Sequence, residues 1–326
     1  MKSLLFGAGA LVATAGLASA QTAFTTPVGY HTETVSQGFN VIGVNLVDAP
    51  LVSSALTGAA GATLTDANVD FTTALADGSL YSIEFANGAW STITEFTANS
   101  VTTADALTLE ADPTANSYVV RKVRTLGDYF GADNSAGFKA GDANTGDILW
   151  IPNGEAFDKA FYAEADPVFG IAAGWQLVGV NGDQANFPIP FTKGLIVQKQ
   201  DAGDLELTFT GHVKLTPTTI TADAPFTYLS RIYPAGATLG NSGLAAGVTE
   251  GDANTASNIW LPTAPGVFDK GFFAAADPVF GIEAGWQLVG VNGDQAAAPL
   301  SSGYIVQRNS DAFTVTLTPP AFYADL

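Results

Sequence analysis

The acidic loops hold the residues whose types and spacing most readily suggest chemistry. In the run GDANTGD, Asp142, Asn144 and Asp147 set oxygen-bearing side chains two and three residues apart, as calcium loops do. Asp66-Ala67-Asn68-Val69-Asp70 and Asp252-Ala253-Asn254 repeat the spacing. None completes the EF-hand pattern of alternating acids, a glycine and a closing glutamate. After Asp252 and Asn254 the third acid is missing, since Ser257-Asn258 follows. The competing reading is an Asx turn, in which Asp or Asn binds its own backbone, and the incomplete ligand set favours it. Asp142, Asn144 and Asp147 stand as the calcium candidates, and no other cofactor is expected.

Catalytic chemistry has little to build on. There are two histidines, His31 and His212, and neither sits in a motif. The G-x-S-x-G elbow, H-E-x-x-H, phosphate-loop and dinucleotide glycine patterns do not occur. Without cysteine there is no thiolate nucleophile, iron–sulfur cluster or Cys-type zinc site. A paired-carboxylate glycosidase stays open, because its acids are recognised by separation in space. Asp166 and Asp277 each precede proline and read as turn residues. Trp150, Trp175, Trp260 and Trp286 lie near Asn, Asp and Gln and suit sugar stacking. Yet Trp175 and Trp286 open apolar strands at matched places, which core packing explains more simply. Asn181-Gly182 and Asn292-Gly293 read as type I′ hairpin turns. Phe161-Tyr162 and Phe272-Phe273 put adjacent rings on opposite strand faces.

The elements that must position these residues are short strands. Runs alternating at period two occur at Asn40–Leu46, Tyr81–Phe85, Ser91–Phe96, Tyr118–Val123, Gln176–Val180, Leu195–Lys199 and Leu205–Lys214, separated by Gly, Asn, Asp and Pro. Helical turns are expected only near Asp48–Thr57 and Thr125–Phe130. Matched blocks recur in the second half. GDANT at Gly141 returns at Gly251, and GWQLVGVNGDQA at Gly174 returns at Gly285. FDK, ADPVFGI and a G-x-I-V-Q-K/R strand recur with them. Such self-similarity indicates duplicated units. Weaker matches join Gly38–Asn45 to Gly174–Asn181, and Tyr118–Arg121 to Tyr228–Arg231. The expected fold is all-β: duplicated units of short antiparallel strands forming a sandwich or barrel-like domain. The blocks are a partial unit at 21–140, a complete unit at 141–250 and a truncated unit at 251–326. Since both ends are incomplete, the strands near Tyr30–Val35 and Phe313–Thr318 are expected to lie together.

Residues 1–20 read as a secretory signal, with Lys2, an apolar run and the small-residue site Ala18-Ser19-Ala20. No stretch is long and apolar enough for a transmembrane helix. Most runs are shorter than the roughly ten residues of outer-membrane barrel strands, which ranks a membrane barrel below an exported globular domain. Twelve basic residues stand against 31 acidic ones, net −19. That balance argues against nucleic acid and anionic lipid. A charged fraction of 13% against 47% hydrophobic residues argues for a buried core rather than disorder.

The signal segment, PVGY at Pro27–Tyr30, Thr65–Asn68, the run Val119–Gly131, Asp147–Trp150 and the GW…IVQK/R tail resemble a family of uncharacterised exported proteins. These form large paralogous sets in Verrucomicrobia-type bacteria. The resemblance implies export and a β-rich fold and brings no catalytic residues. The expectation is a non-catalytic protein of the cell surface or extracellular matrix, with periplasm as the other location. It would act by binding surface or matrix components or by self-assembly. The alternative is a carbohydrate-binding or carbohydrate-hydrolysing protein, marked by a groove of exposed aromatics and carboxylates.

Overall fold

In a computed structural model, the structure describes residues 27–326 other than 167, 169–171, 181, 278 and 280–282. The signal segment, Asn181 and parts of both ADPVFGI runs lie outside the described residues. With 44% strand and 7% helix, the cores must form between strand faces.

The chain opens with β1 (Val28–Val35) and β2 (Gly38–Gly43). Seven strands follow: β3 (Val52–Ala55), β4 (Gly58–Ala60), β5 (Thr63–Thr65), β6 (Tyr81–Phe85), β7 (Trp90–Phe96), β8 (Ser100–Thr103) and β9 (Ser117–Lys122). They form one curled antiparallel sheet in the order β3-β9-β6-β7-β8-β5-β4. Its core includes Leu64, Phe71, Tyr81, Ile83, Phe85, Tyr118 and Val120. Phe71 enters on a one-turn helix, α1 (Phe71–Ala74), capped by the Asp70 carboxylate.

A second short helix, α2 (Leu126–Phe130), returns the chain from this sheet. A capping box holds its start. The Thr125 hydroxyl accepts from the Asp128 N–H, and the Asp128 carboxylate accepts from the Thr125 N–H. Next come β10 (Ile148–Asn153), β11 (Ala156–Ala163), β12 (Gly174–Leu177), β13 (Gly194–Lys199) and β14 (Leu205–His212). β2 closes the sheet β12-β11-β10-β13-β2, while β1 pairs with β14. Their shared core surrounds Trp175 with Phe130, Phe138 and Tyr162, and includes Ile42, Leu149, Leu195 and Phe209.

The remaining strands build a second unit: β15 (Thr218–Ala222), β16 (Phe226–Ser230), β17 (Asn258–Ala264), β18 (Val267–Ala274), β19 (Gly285–Leu288), β20 (Gly303–Gln307) and β21 (Phe313–Leu317). Its sheet order is β16-β20-β17-β18-β19, and β15 pairs with β21. The correspondence reaches individual residues. Gln198 opposes Phe39 in the first unit, and Gln307 opposes Phe226 in the second. Leu126 N donates to Phe187 O, and Leu239 N donates to Ala298 O, each bond 2.9 Å long.

The strands are distributed differently from the sequence blocks at 140 and 250. β1 and β2 complete the sheets of the block that follows them, and β15 and β16 do the same for the last block. The seven-stranded sheet sits between β2 and α2, as an insertion within the first unit. The strand near Tyr30–Val35 pairs with β14, and the strand near Phe313–Thr318 pairs with β15, so the two ends do not complete one another. Gly38–Asn45 and Gly174–Asn181 do not correspond in place: β2 and β12 are opposite edges of one sheet. The helical turn expected near Asp48–Thr57 is replaced by β3, because Val52–Ala55 finds ladder partners at Ser117–Val120. The Asn181-Gly182 turn lies partly outside the described residues, and at the matched Asn292-Gly293 only the glycine has positive φ, so no type I′ turn forms there. The tight turn directly after Leu177 is Val178-Gly179. Val180 N donates to Leu177 O at 3.0 Å, and Gly179 has φ of 84°, as a type II turn needs.

The two five-stranded sheets meet where glycine stands in place of a side chain. A Cβ on Gly194 would lie 2.6 Å from the Leu229 carbonyl oxygen. At the matched Gly303 a Cβ would collide with the Ile42 carbonyl. The backbone bond Ser230 N to Thr192 O (2.9 Å) crosses the junction.

Candidate functional site

The inserted sheet belongs to the first unit by sequence, but the tip of its β6–β7 hairpin rests on the second. Asn87-Gly88 makes the turn. Gly88 has φ of 94°, where a side chain is strained, and a Cβ there would lie 3.1 Å from Pro217 and Thr316. The turn is pinned to β15 twice. Thr219 N donates to Gly88 O, and Trp90 Nε1 donates to Thr219 O, both at 2.8 Å. The Trp90 ring also meets Phe191 of the first unit, centroids 5.2 Å apart. One tryptophan therefore touches all three parts.

This docking leaves an open cleft of about 870 Å³ between the three parts. The inserted sheet contributes Asn87, Trp90 and Asp105–Thr108, the first unit Pro152, Gly154 and Thr192-Lys193, and the second unit β15, β21 and Asp223–Leu229. Alternation along β15 and β21 sends Ile220, Val315 and Leu317 into the core and turns Thr219, Thr221, Thr314 and Thr316 to the cleft. The hydroxyls meet across the strands: Thr219 to Thr316 at 2.9 Å and Thr221 to Thr314 at 3.1 Å. Phe226 lies beside them, 48% exposed, with Tyr228 next along the same face. Burial pushes the Tyr228 phenol up from its ordinary value. Burial also holds the Lys193 ammonium below the usual lysine range, against the opposing pull of Asp158 and Asp223. Lys193 Nζ donates to Pro152 O at 2.6 Å. The Asp105 carboxylate accepts from the Ser91 hydroxyl at 3.2 Å.

A matched aromatic arrangement occupies both five-stranded sheets. Trp150 Nε1 donates to Gln198 Oε1 (3.1 Å), and Trp260 Nε1 donates to Gln307 Oε1 (2.9 Å). Lys159 lies 3.9 Å from the Trp150 ring centroid, and Lys270 lies 5.5 Å from that of Trp260. A cation over an indole face occupies the surface a sugar would stack on. Trp175 and Trp286 are buried at 0% and 2% exposure, so neither offers a platform.

The calcium candidates are engaged by the chain itself. Asp142 Oδ1 accepts from Asn144 N, Thr145 N and the Thr145 hydroxyl, an Asx turn. These bonds, the Asn144 N–H first, hold the Asp142 carboxyl below its ordinary value. Asn144 is exposed, whereas Asp147 is buried and points inward. Asp147 Oδ2 accepts from Lys139 N and Oδ1 from Gln200 N, each at 2.8 Å. Ser257 stands at the matched place of the second unit, and its hydroxyl accepts from Thr249 N at 3.3 Å. The position requires a local acceptor for a backbone N–H, which serine supplies without a charge. Among the described residues no three His, Cys, Asp or Glu gather as a metal cluster. No helix of the described residues is long and apolar enough to cross a membrane.

The sequence reading passed over Trp90, Lys193, Phe226 and Tyr228 as cleft residues. It also passed over the charges at the junction. Lys214, in the link between the units, donates to Glu84 of β6 at 2.6 Å, with both side chains almost wholly buried. Arg121 Nε lies 3.4 Å from the other Glu84 oxygen. Trp90 did leave one signal, since it follows an Asn-Gly turn and has no counterpart in the repeated blocks. His31 bonds Glu33 on β1, and His212 ends β14. Comparison with protein families, curated proteins and solved structures finds no match to this chain.

Proposed function

We propose that this protein is an exported, non-catalytic binding protein of the cell surface or extracellular matrix, and that its ligand enters the cleft beneath the β6–β7 hairpin. The observation that carries this reading is the cleft itself. An insertion from one unit covers an otherwise open strand face of the other, and concave sites between packed parts are where ligands bind. Export rests on the signal-like residues 1–20 and on the resemblance to paralogous exported proteins. The non-catalytic part rests on the same resemblance, which brings no catalytic residues; His31 and His212 lie on β1 and β14 and so offer the cleft no imidazole acid or base. Binding is preferred to self-assembly because β1 and β21 already have partners within the chain, which removes the reason for inter-chain completion.

Fractionation of the source cells, followed by sedimentation of the mature chain with the isolated envelope and matrix, tests this. Ala106 is exposed and lines the cleft, so Ala106→Trp projects an indole into it and obstructs an extended ligand. The expected result is an exported chain that sediments with the envelope, and an Ala106→Trp variant that folds and stays in the supernatant. Retention of that variant on the envelope would remove the cleft from the account.

A further inference from the structure

We infer that the cleft takes an uncharged, polyhydroxylated chain: a neutral oligosaccharide segment lying along the threonine floor. This inference rests on the reading of the cleft as the binding site. Four threonine hydroxyls stand in two cross-strand pairs, Thr219 with Thr316 and Thr221 with Thr314. Within each pair one hydroxyl donates to the other. The pair therefore presents one free O–H and unused oxygen lone pairs, acting as donor and acceptor together. Sugar hydroxyls have the same double character. Anions require donors alone, and cations require acceptors alone.

The two pairs lie two residues apart along their strands, about 6.6–6.8 Å, so a ligand must offer hydroxyls at intervals rather than at one point. Phe226 supplies an exposed apolar face beside this floor, suited to the C–H face of a sugar ring. The walls oppose an anion. Asp105 and Asp223 bring two carboxylates, while the Lys193 ammonium is largely buried and already donates to Pro152 O. A volume of about 870 Å³ is near the upper end of the roughly 300–1,000 Å³ of small-molecule sites, which suits several rings better than one.

The first unit supplies an internal control. Thr32 and Thr208 make the same hydroxyl contact at 3.1 Å. There the neighbouring pair is Thr34 with Glu206, so a carboxylate replaces the second threonine pair. Among the described residues, two adjacent threonine pairs stand on one ladder face in the second unit, where the first unit has one pair beside a carboxylate.

Calorimetric titration of the mature full chain tests the inference. The probes are neutral linear hexasaccharides of glucose, xylose, mannose and N-acetylglucosamine, with hexagalacturonate as the anionic comparison. At least one neutral probe binds, and hexagalacturonate binds at least about tenfold more weakly. Removing both outer hydroxyls (T221V with T314V) weakens binding about tenfold, the effect of losing one or two neutral hydrogen bonds. Phe226→Ala weakens it by a similar factor. Thr221→Ser with Thr314→Ser keeps the hydroxyls and keeps the affinity, which separates their role from a packing defect. Binding of hexagalacturonate as tightly as of any neutral probe, no binding of any neutral probe, or affinity unmoved by the valine pair each overturns the inference. If Ala106→Trp releases the chain from the envelope while no hexasaccharide binds, the cleft reading stands and the glycan inference falls.

Discussion

The two units share strand order and register, yet one strand face is open and its counterpart is covered. In the first unit, β1 presents Val28 and Tyr30 at 70% and 77% exposure, while Thr208 and Thr210 of β14 line a smaller hollow with Arg124 and Asp128. In the second, the hairpin tip lies on β15 and β21, and the threonine face becomes the floor of a cleft. The ladders themselves do not make this difference. It comes from seven strands inserted between β2 and α2 of the first unit and docked across the junction. A repeated sheet supplies the surface, and an unrepeated insertion makes one copy of it a concave site.

The largest expected effect compares the two cores. Trp175 touches Phe130, Phe138 and Tyr162, and its Nε1 donates to Gly131 O at 2.8 Å. Trp286 sits at the matched place against Phe273. Truncating a large buried aromatic costs about 3–5 kcal/mol. Trp175→Ala should fall at the upper end and Trp286→Ala at the lower. Equal losses in chemical denaturation would mean that the two cores are equally demanding.

The junction comes next. Lys214→Met leaves Glu84 buried with Arg121 as its remaining cation. Breaking a buried pair costs about 3–5 kcal/mol, and Arg121 keeps this one near the lower bound. The inserted sheet should also loosen, seen as faster amide exchange in β6 and β9 than in β17 and β18. Uniform exchange across all three parts would show that the ion pair does not join them.

Gly88→Ala tests the docking itself. Positive φ and the close approach to Pro217 and Thr316 should destabilise the chain by about 1–2 kcal/mol. The tryptophan emission should also move to the red, through the contribution of Trp90, as the hairpin lifts. A variant with wild-type stability and emission would show that the tip does not need glycine.

The smallest effects belong to the acidic loops, which behave alike in both units. The Asp142 and Asp252 carboxyls lie below the ordinary 3.8, chiefly through the Asn144 and Asn254 backbone N–H groups. A depressed folded-state value gives stability that is present above the unfolded value and lost as pH falls through the folded one. Asp142→Ala and Asp252→Ala should therefore each lower Tm at neutral pH. The deficit should shrink as pH drops below 3.8. Added calcium should leave the wild-type Tm unchanged, since Asp142 and Asp147 already accept from the chain. A calcium-dependent rise would restore the metal reading of these loops.

The sequence made local features legible and long-range ones not. Tyr81–Phe85 is a strand as its alternation requires, and α2 begins where Thr125 and Asp128 form a capping box. Burial of Trp175 and Trp286 follows from their matched places in apolar strands. Strand pairing is different in kind. The partners Val35 and Leu205, or Gly43 and Gly194, lie more than 150 residues apart, and alternation does not specify which strand answers which. Val52–Ala55 shows tertiary context overriding a local reading. The cleft needed both kinds of knowledge: its threonines are visible as alternation, but its roof is visible only once Gly88 and Trp90 are seen against β15.

The most direct test of the central claim places one reporter on each face. The chain has no cysteine, so Thr108→Cys at the edge of the cleft and Thr34→Cys on the first unit's face each take a single environment-sensitive fluorophore at exposed places. Both labelled proteins are titrated with the soluble polysaccharide fraction of the cell envelope. A saturable change at position 108 with none at position 34 is the predicted result. Equal responses at both, or a response at position 34 alone, would contradict the claim that the roofed face is the binding site.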